Sequence, residues 1–268
     1  MRFCHVYLVL RVALLCLLCW LPLRAQQHGL QFNGSLTQHV NHGLFWEIYT
    51  PTRPNNVLSD DFAWEAWVKV APANGLGYVI SAGYGGAHSI LLGFDVSAER
   101  RKASVVGNFA VLPDGKCMAG DAFHRVDFRT DAAFDLNTWY HVAVASRNHI
   151  LTVYKDGEPI LSQTWTGKRI SNLCYKPDGA EAILYIGGST HLNFTGEIAQ
   201  VRGWEGFTPY GGSRFVPETT FSASWREKGS DPRITDAVFL TDYRNKKRKF
   251  DDLSKGYKGR RHSGIPNF

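Results

Sequence analysis

The clearest pattern in the chain runs from Trp139 to Trp165, WYHVAVASRNHILTVYKDGEPILSQTW. Tyr140, Val142 and Val144 alternate with His141, Ala143 and Ala145, which marks a strand with two unlike faces. Ser146–His149 is a polar reversal. Ile150–Lys155 is rich in β-branched and aromatic residues and predicts a second strand. Asp156-Gly157 then predicts a two-residue type I′ turn, because both positions tolerate positive φ. Glu158–Trp165 is the return strand, so the stretch predicts three consecutive antiparallel strands.

Similar alternation recurs along the chain. Gly29–Val40 predicts a first strand with a turn at Asn33-Gly34, and Phe45–Tyr49 a short one. Over Asp61–Val70, the residues Phe62, Trp64, Ala66, Val68 and Val70 share one face, the predicted core face. Gly75–Gly77 predicts a turn. Tyr78–Ala82, Ser89–Phe94, Ala103–Val111, Phe123–Phe128, Ile183–Ile186, Glu197–Trp204 and Ala237–Tyr243 complete the predicted strands. Two long excursions, Pro113–Asn137 and Gly167–Ala180, interrupt them, and residues 205–237 predict irregular surface. Almost no stretch of ten residues has a helical period. Many short strands with Gly, Pro, Asn and Asp turns predict an all-β sandwich.

Composition changes this picture mainly at the ends. Arg2, the apolar run Val12–Leu23 and Leu23-Arg24-Ala25 form the pattern of a secretory leader, residues 1–25. The competing reading is a membrane anchor, but Arg11 leaves only about 12 apolar residues where roughly 20 are needed. No later stretch is apolar enough to span a membrane as a helix, so export to the extracellular space (or the periplasm or cell surface of a bacterium) is expected. The net charge of +6 is unevenly spread. The leader holds three arginines, and residues 244–262 hold nine Lys or Arg against Asp251 and Asp252, so the body between them is net negative. The organisation predicted is a leader, a sandwich over 26–205, an irregular extension with a docking strand over 206–243, and a basic tail over 244–268.

Several stretches resemble a laminin-G-like module, a member of the concanavalin A-like jelly rolls that also include the pentraxins. They are Leu-Gln-Phe-Asn-Gly-Ser at 30–35, Phe-Ala-Trp-Glu-Ala-Trp-Val at 62–68, the 139–165 meander, Tyr-Ile-Gly-Gly at 185–188, and Gly-Glu-Ile-Ala-Gln-Val-Arg at 196–202. The resemblance covers about residues 28–205. It implies an all-β, concanavalin A-like jelly-roll sandwich of two antiparallel sheets, and a lectin-like module binding a glycan or an extracellular protein. Phe239-Leu-Thr-Asp-Tyr-Arg, Asp252-Leu-Ser-Lys-Gly-Tyr and Arg261-His-Ser-Gly resemble the segment that often precedes the first strand of such modules, yet here they follow the last one.

Calcium binding in pentraxin-like relatives uses acidic side chains from two loops. This chain has Ala87-His88 and Ser189-Thr190-His191 at those places. The expected hard oxygen ligands are missing, so no cofactor is expected. Placed on that fold, His88 and His191 come from adjacent loops. They are candidates for a transition-metal site or for sugar contacts, against the plainer reading of solvated loop histidines. Tyr84, His88, Trp165 and His191 are the candidate ligand-binding residues, taken from loop position. Trp64 and Trp139 are assigned to the core, and His141 to a structural role. Glycoside hydrolases of this superfamily carry closely spaced acidic residues on one strand. No such run is found, so an enzyme is not expected, and a hydrolase is kept as the alternative function.

The tail suggests another alternative, a polyanion such as a sulfated glycan bound by Lys246, Lys247, Arg248, Lys249, Lys258, Arg260 and Arg261. Behind an export leader, a nucleic-acid partner is not expected. Gly83–His88 is glycine-rich but lacks the Lys-Ser/Thr and the following helix of a phosphate loop. Cys4, Cys16 and Cys19 fall in the leader, which leaves Cys117 and Cys174 either as one disulfide or as two thiols. Asn33-Gly34-Ser35 and Asn193-Phe194-Thr195 are glycosylation sequons at Asn33 and Asn193.

Overall fold

The structure, a computed structural model, describes residues 30–34, 40–42, 60–73, 75–84, 87–97, 99, 101–112, 124–131, 134–169, 183–188, 192–205, 208, 210, 212–217, 239–242 and 260–261. The leader, Cys117, Cys174, Phe45–Tyr49 and most of the basic tail lie outside these residues.

The described chain is all strand, with no helix among the described residues. In order, the strands are β1 (Leu30–Asn33), β2 (Val40–His42), β3 (Phe62–Val70), β4 (Gly75–Tyr84), β5 (Ala87–Ser97), β6 (Lys102–Leu112), β7 (His124–Arg129), β8 (Phe134–Asp135), β9 (Trp139–Arg147), β10 (Ile150–Lys155), β11 (Glu158–Thr164), β12 (Lys168–Arg169), β13 (Ile183–Ile186), β14 (Thr195–Glu205), β15 (Phe239–Asp242) and β16 (Arg260–Arg261). They form two antiparallel sheets. The first runs β1-β14-β3-β9-β10-β11 with β15 also on β14, and the second runs β12-β6-β5-β4-β13-β2-β16 with β7 and β8 on β6.

The meander is found where the alternation placed it. At the β10–β11 turn, Asp156 and Gly157 have φ of 51° and 83°, as a type I′ turn requires. The preceding reversal is tighter than predicted. Asn148 and His149, at φ of 51° and 61°, make a second turn of the same hand.

One face of each sheet forms the core. Phe62, Trp64, Ala66, Val68 and Val70 of β3 meet Leu92, Phe94, Val105, Phe109 and Ile186 of the second sheet. Each fully buried large apolar side chain contributes about 1.5–3 kcal/mol. Aromatic rings pack edge-on here: Phe62 on Phe109 at 5.5 Å and Phe94 on Phe134 at 5.4 Å between centroids.

Two sequence expectations change. Gly75–Gly77 is not a turn but the start of β4. Gly77 runs so close to the next segment that a Cβ there would sit 2.9 Å from the Asn193 carbonyl oxygen, so its lack of a side chain serves packing. Residues 205–237 are not all surface. Tyr210 is buried, and Phe215 packs on Tyr154, Tyr210 and His141. These residues belong to a strap, described over 208, 210 and 212–217, that crosses the outer face of the first sheet. The Phe215 N–H donates to the Gly157 carbonyl at 3.0 Å, and the Gly212 N–H donates to the Tyr154 hydroxyl at 3.1 Å. Beneath the strap, Ala63, Ala143, Ala145, Tyr154 and Trp204 form a second small core.

The docking strand expected in the extension is β15, on the edge of β14. Tail residues Arg260 and Arg261 form β16 and pair with Asn41 and Val40.

Candidate functional site

Burial alternates along β7: Phe128 points into the core while Arg125, Asp127 and Arg129 are exposed. Opposite β7 lies β11, the last strand of the first sheet, followed by the turn Trp165–Gly167. Gln163 on β11 bridges the two sheets, its Nε2 donating to the Asp127 carbonyl at 3.1 Å. Beyond that bridge the sheets part into a groove of about 480 Å³. It is lined by Val111, Val126 and Trp165, by His124, Arg125 and Asp127 of β7, and by Thr164, Thr166 and Gly167 of the facing segment.

Trp165 is held firmly in that lining. Its backbone N–H donates to the His149 carbonyl at 2.9 Å, and its indole N–H to Ser146 Oγ at 3.1 Å. Its ring packs on Phe109 at 5.0 Å and on His149 at 4.5 Å. Asp60 fixes the turn from below, accepting the Arg169 N–H at 3.1 Å and pairing with Lys168. A pocket of this size, lined by both apolar and polar residues, suits a small polar ligand with apolar ring faces.

Trp165, a ligand-binding candidate by loop position, is a core residue, 5% exposed, that also lines the groove. The Tyr84–Ala87 and Gly83–His88 pairs place the Tyr84 and His88 backbones at the far end of β4; their side chains lie outside the described set. His191 is itself outside it. The proposed pairing of His88 with His191 therefore falls on residues outside the described set. Lys246, Lys247, Arg248, Lys249 and Lys258 are outside the described residues. Asn33 is exposed at the end of β1, but Asn193 is only 9% exposed, against Gly188, so its amide has no room for a glycan in this fold. Trp139 shares the outer face of β9 with His141 and is half-buried, so it is not in the core. Among the described residues, no group of three or more His, Cys, Asp or Glu converges to hold a metal.

Sequence reasoning missed a charged layer under the strap. Arg202 Nε pairs with Glu65 Oε1, and His141 Nε2 lies 3.2 Å from Glu65 Oε2, all three side chains buried. Burial alone would raise the Glu65 carboxyl. The Arg202 guanidinium and then the His141 imidazole outweigh burial and hold it at about 2. With the carboxyl ionised, the imidazole meets it through Nε2–H, and Nδ1 has no hydrogen-bond partner. The signal was present in β3, where Ala63 and Trp67 make the face opposite the core apolar too, as in a sheet covered on both sides.

Two antiparallel sheets packed over one core, all strand among the described residues, define the jelly-roll class of β-sandwich. The sequence profile of the concanavalin A-like lectin/glucanases superfamily matches residues 47–207, and the chain belongs to that superfamily. Among solved structures it is similar to a proposed carbohydrate-binding protein of Bacteroides ovatus (14% identity, 87% of this chain and 58% of that one, TM-score 0.49). It is similar also to the heptameric SAP-like pentraxin of Limulus polyphemus (14%, 71% and 78%, TM-score 0.45). A third is the CBM40 of the Ruminococcus gnavus IT-sialidase, solved with alpha2,3 sialyllactose (17%, 70% and 93%, TM-score 0.43). These are likenesses of fold. No curated protein sequence matches the chain. Among the described residues, no helix is long and apolar enough to cross a membrane.

Proposed function

We propose that the chain is an exported, non-catalytic binding module that holds a glycan in the groove between β7 and the Trp165–Gly167 turn. The observation that carries this reading is the groove itself, lined by Val111, Val126 and Trp165 together with His124, Arg125 and Asp127 of β7 and Thr164 and Thr166 of the facing segment. Sugars offer apolar ring faces and many hydroxyls, and such a lining meets both. The buried carboxylate does not favour a hydrolase. Glu65 is inaccessible and stays ionised down to about pH 2, so it is neither a general acid near neutrality nor a nucleophile within reach.

A glycan array with the purified chain tests this. Binding to at least one glycan is expected, with no release of reducing sugar. Replacing Asp127 or Arg125 by Ala is expected to weaken binding about tenfold or more, the worth of one hydrogen bond to a charged group. Turnover of a bound polysaccharide overturns the reading in favour of the hydrolase. Unchanged binding in both variants overturns the assignment to the groove.

A further inference from the structure

The hairpin between β9 and β10 turns on Asn148 and His149, at φ of 51° and 61°. A two-residue turn of this hand favours Asn-Gly, because a Cβ is costly in the left-handed region and glycine has none. Asn148 follows that preference and His149 departs from it. Backbone strain kept in a fold points to work done by the side chain that keeps it. The contacts of His149 converge on one turn. Its Nε2 lies 3.0 Å from the Gly167 carbonyl oxygen, which can only accept, so the ring meets it as Nε2–H. The ring packs on the Trp165 indole at 4.5 Å between centroids. The His149 carbonyl accepts the Trp165 N–H at 2.9 Å. Asp60 Oδ2 stands 3.7 Å from Nε2 and also pairs with Lys168, just past the turn. His149 thus ties down both ends of Trp165–Gly167, which lines the groove, yet is not itself among the lining residues.

We infer that His149 is a positioning residue for the groove: it sets the Trp165–Gly167 turn from outside the binding site, so that the site is shaped before a glycan enters. The inference rests on the glycan-binding reading above. Gly167, at φ of 97°, has no side chain to anchor it, and its carbonyl is held by the imidazole instead. Thr164 and Thr166 are both exposed and flank Trp165. Their place across from β7 follows from the backbone that His149 holds. A turn already fixed in one geometry loses less freedom when a ligand binds, and affinity rises accordingly.

His149→Gly in the full chain tests it, because the change restores the favoured Asn-Gly turn and removes the ring. Its two effects on stability oppose each other, so Tm is expected to stay within about 4 °C of the wild type. Hydrogen exchange is expected to quicken at Thr164–Lys168 and to stay unchanged in β3 and β9. On the glycan array, the half-saturating concentration is expected to rise about tenfold, for the loss of one hydrogen bond and one ring contact. His149→Gln, which keeps an N–H for the Gly167 carbonyl but no ring, is expected to recover part of that loss. Faster exchange at the turn with unchanged binding overturns the inference, and so does unchanged exchange. A large fall in Tm with exchange quickened throughout makes His149 a stabilising residue only, and overturns it too. In each of these cases the groove still stands if Asp127→Ala weakens binding. An array on which the wild-type chain binds no glycan overturns both readings.

Discussion

Replacing Glu65 by Gln tests the charged layer under the strap most directly. The change is nearly isosteric, so packing is kept while the charge is removed. Arg202 then loses the Glu65 carboxylate while it stays buried, its side chain 3% exposed. Breaking a buried ion pair from one side costs about 3–5 kcal/mol, because the remaining charge loses hydration and partner together. For a chain of this size each kcal/mol lowers Tm by about 2–4 °C, so a fall of roughly 6–20 °C is expected. Acid adds a second signature. The Glu65 carboxyl is held at about 2 in the fold, against an ordinary 4.5. Its folded pKa is depressed, so its stabilisation is present above pH 4.5 and is lost as pH falls through 2. Over that window the wild type loses about 3 kcal/mol from this group, at roughly 1.4 kcal/mol per unit. Urea unfolding followed by tryptophan fluorescence at pH 7 and pH 3 measures both effects. Glu65→Gln should be much less stable at pH 7 and lack this acid-sensitive component. A loss below about 1 kcal/mol at pH 7 would refute the account. So would a variant with the same acid slope as the wild type.

Two further outcomes are expected. Gly157→Ala places a Cβ 1.8 Å from the Phe215 carbonyl oxygen at a φ of 83°, a strained position costing on the order of 1–3 kcal/mol; hydrogen exchange should quicken at the strap, Gly212–Phe215, before the core strands respond. Replacing Lys246, Lys247, Arg248 and Lys249 together by Gln should lower the salt needed to elute the chain from heparin, and an unchanged elution point would sink the polyanion reading of the tail.

The meander was legible because its information is local. A period of two, an Asp-Gly dipeptide and β-branched residues all act within a few positions. Trp139 was legible too, since its parity with His141 rather than Tyr140 places it off the core face; bulk alone misassigned it. The charged layer was not legible in this way. Glu65 lies 76 residues from His141 and 137 from Arg202, and only the strand order β14-β3-β9 brings them together. The strap was hidden because Tyr210 and Phe215 sit among Gly, Pro and Ser residues that otherwise signal surface. The groove is likewise a product of two strands, β7 and β11, distant in sequence and joined by one side-chain bridge.

The last two strands change how the chain's ends relate. β1 covers Thr195–Ile198 on one edge of β14, and β15 takes up the same edge at Gln200–Gly203. β16 lies directly beside β2 on the other sheet. The segments that open and close the described chain therefore alternate along shared seams, one pair in each sheet. The order of these pieces along the polypeptide is then topologically interchangeable. A circular permutant carrying residues 237–261 ahead of Leu30, and ending after the strap, has every strand pair of the native fold available to it. In mechanical terms, tension between these two end segments is borne first at the seams, by β14 and β2.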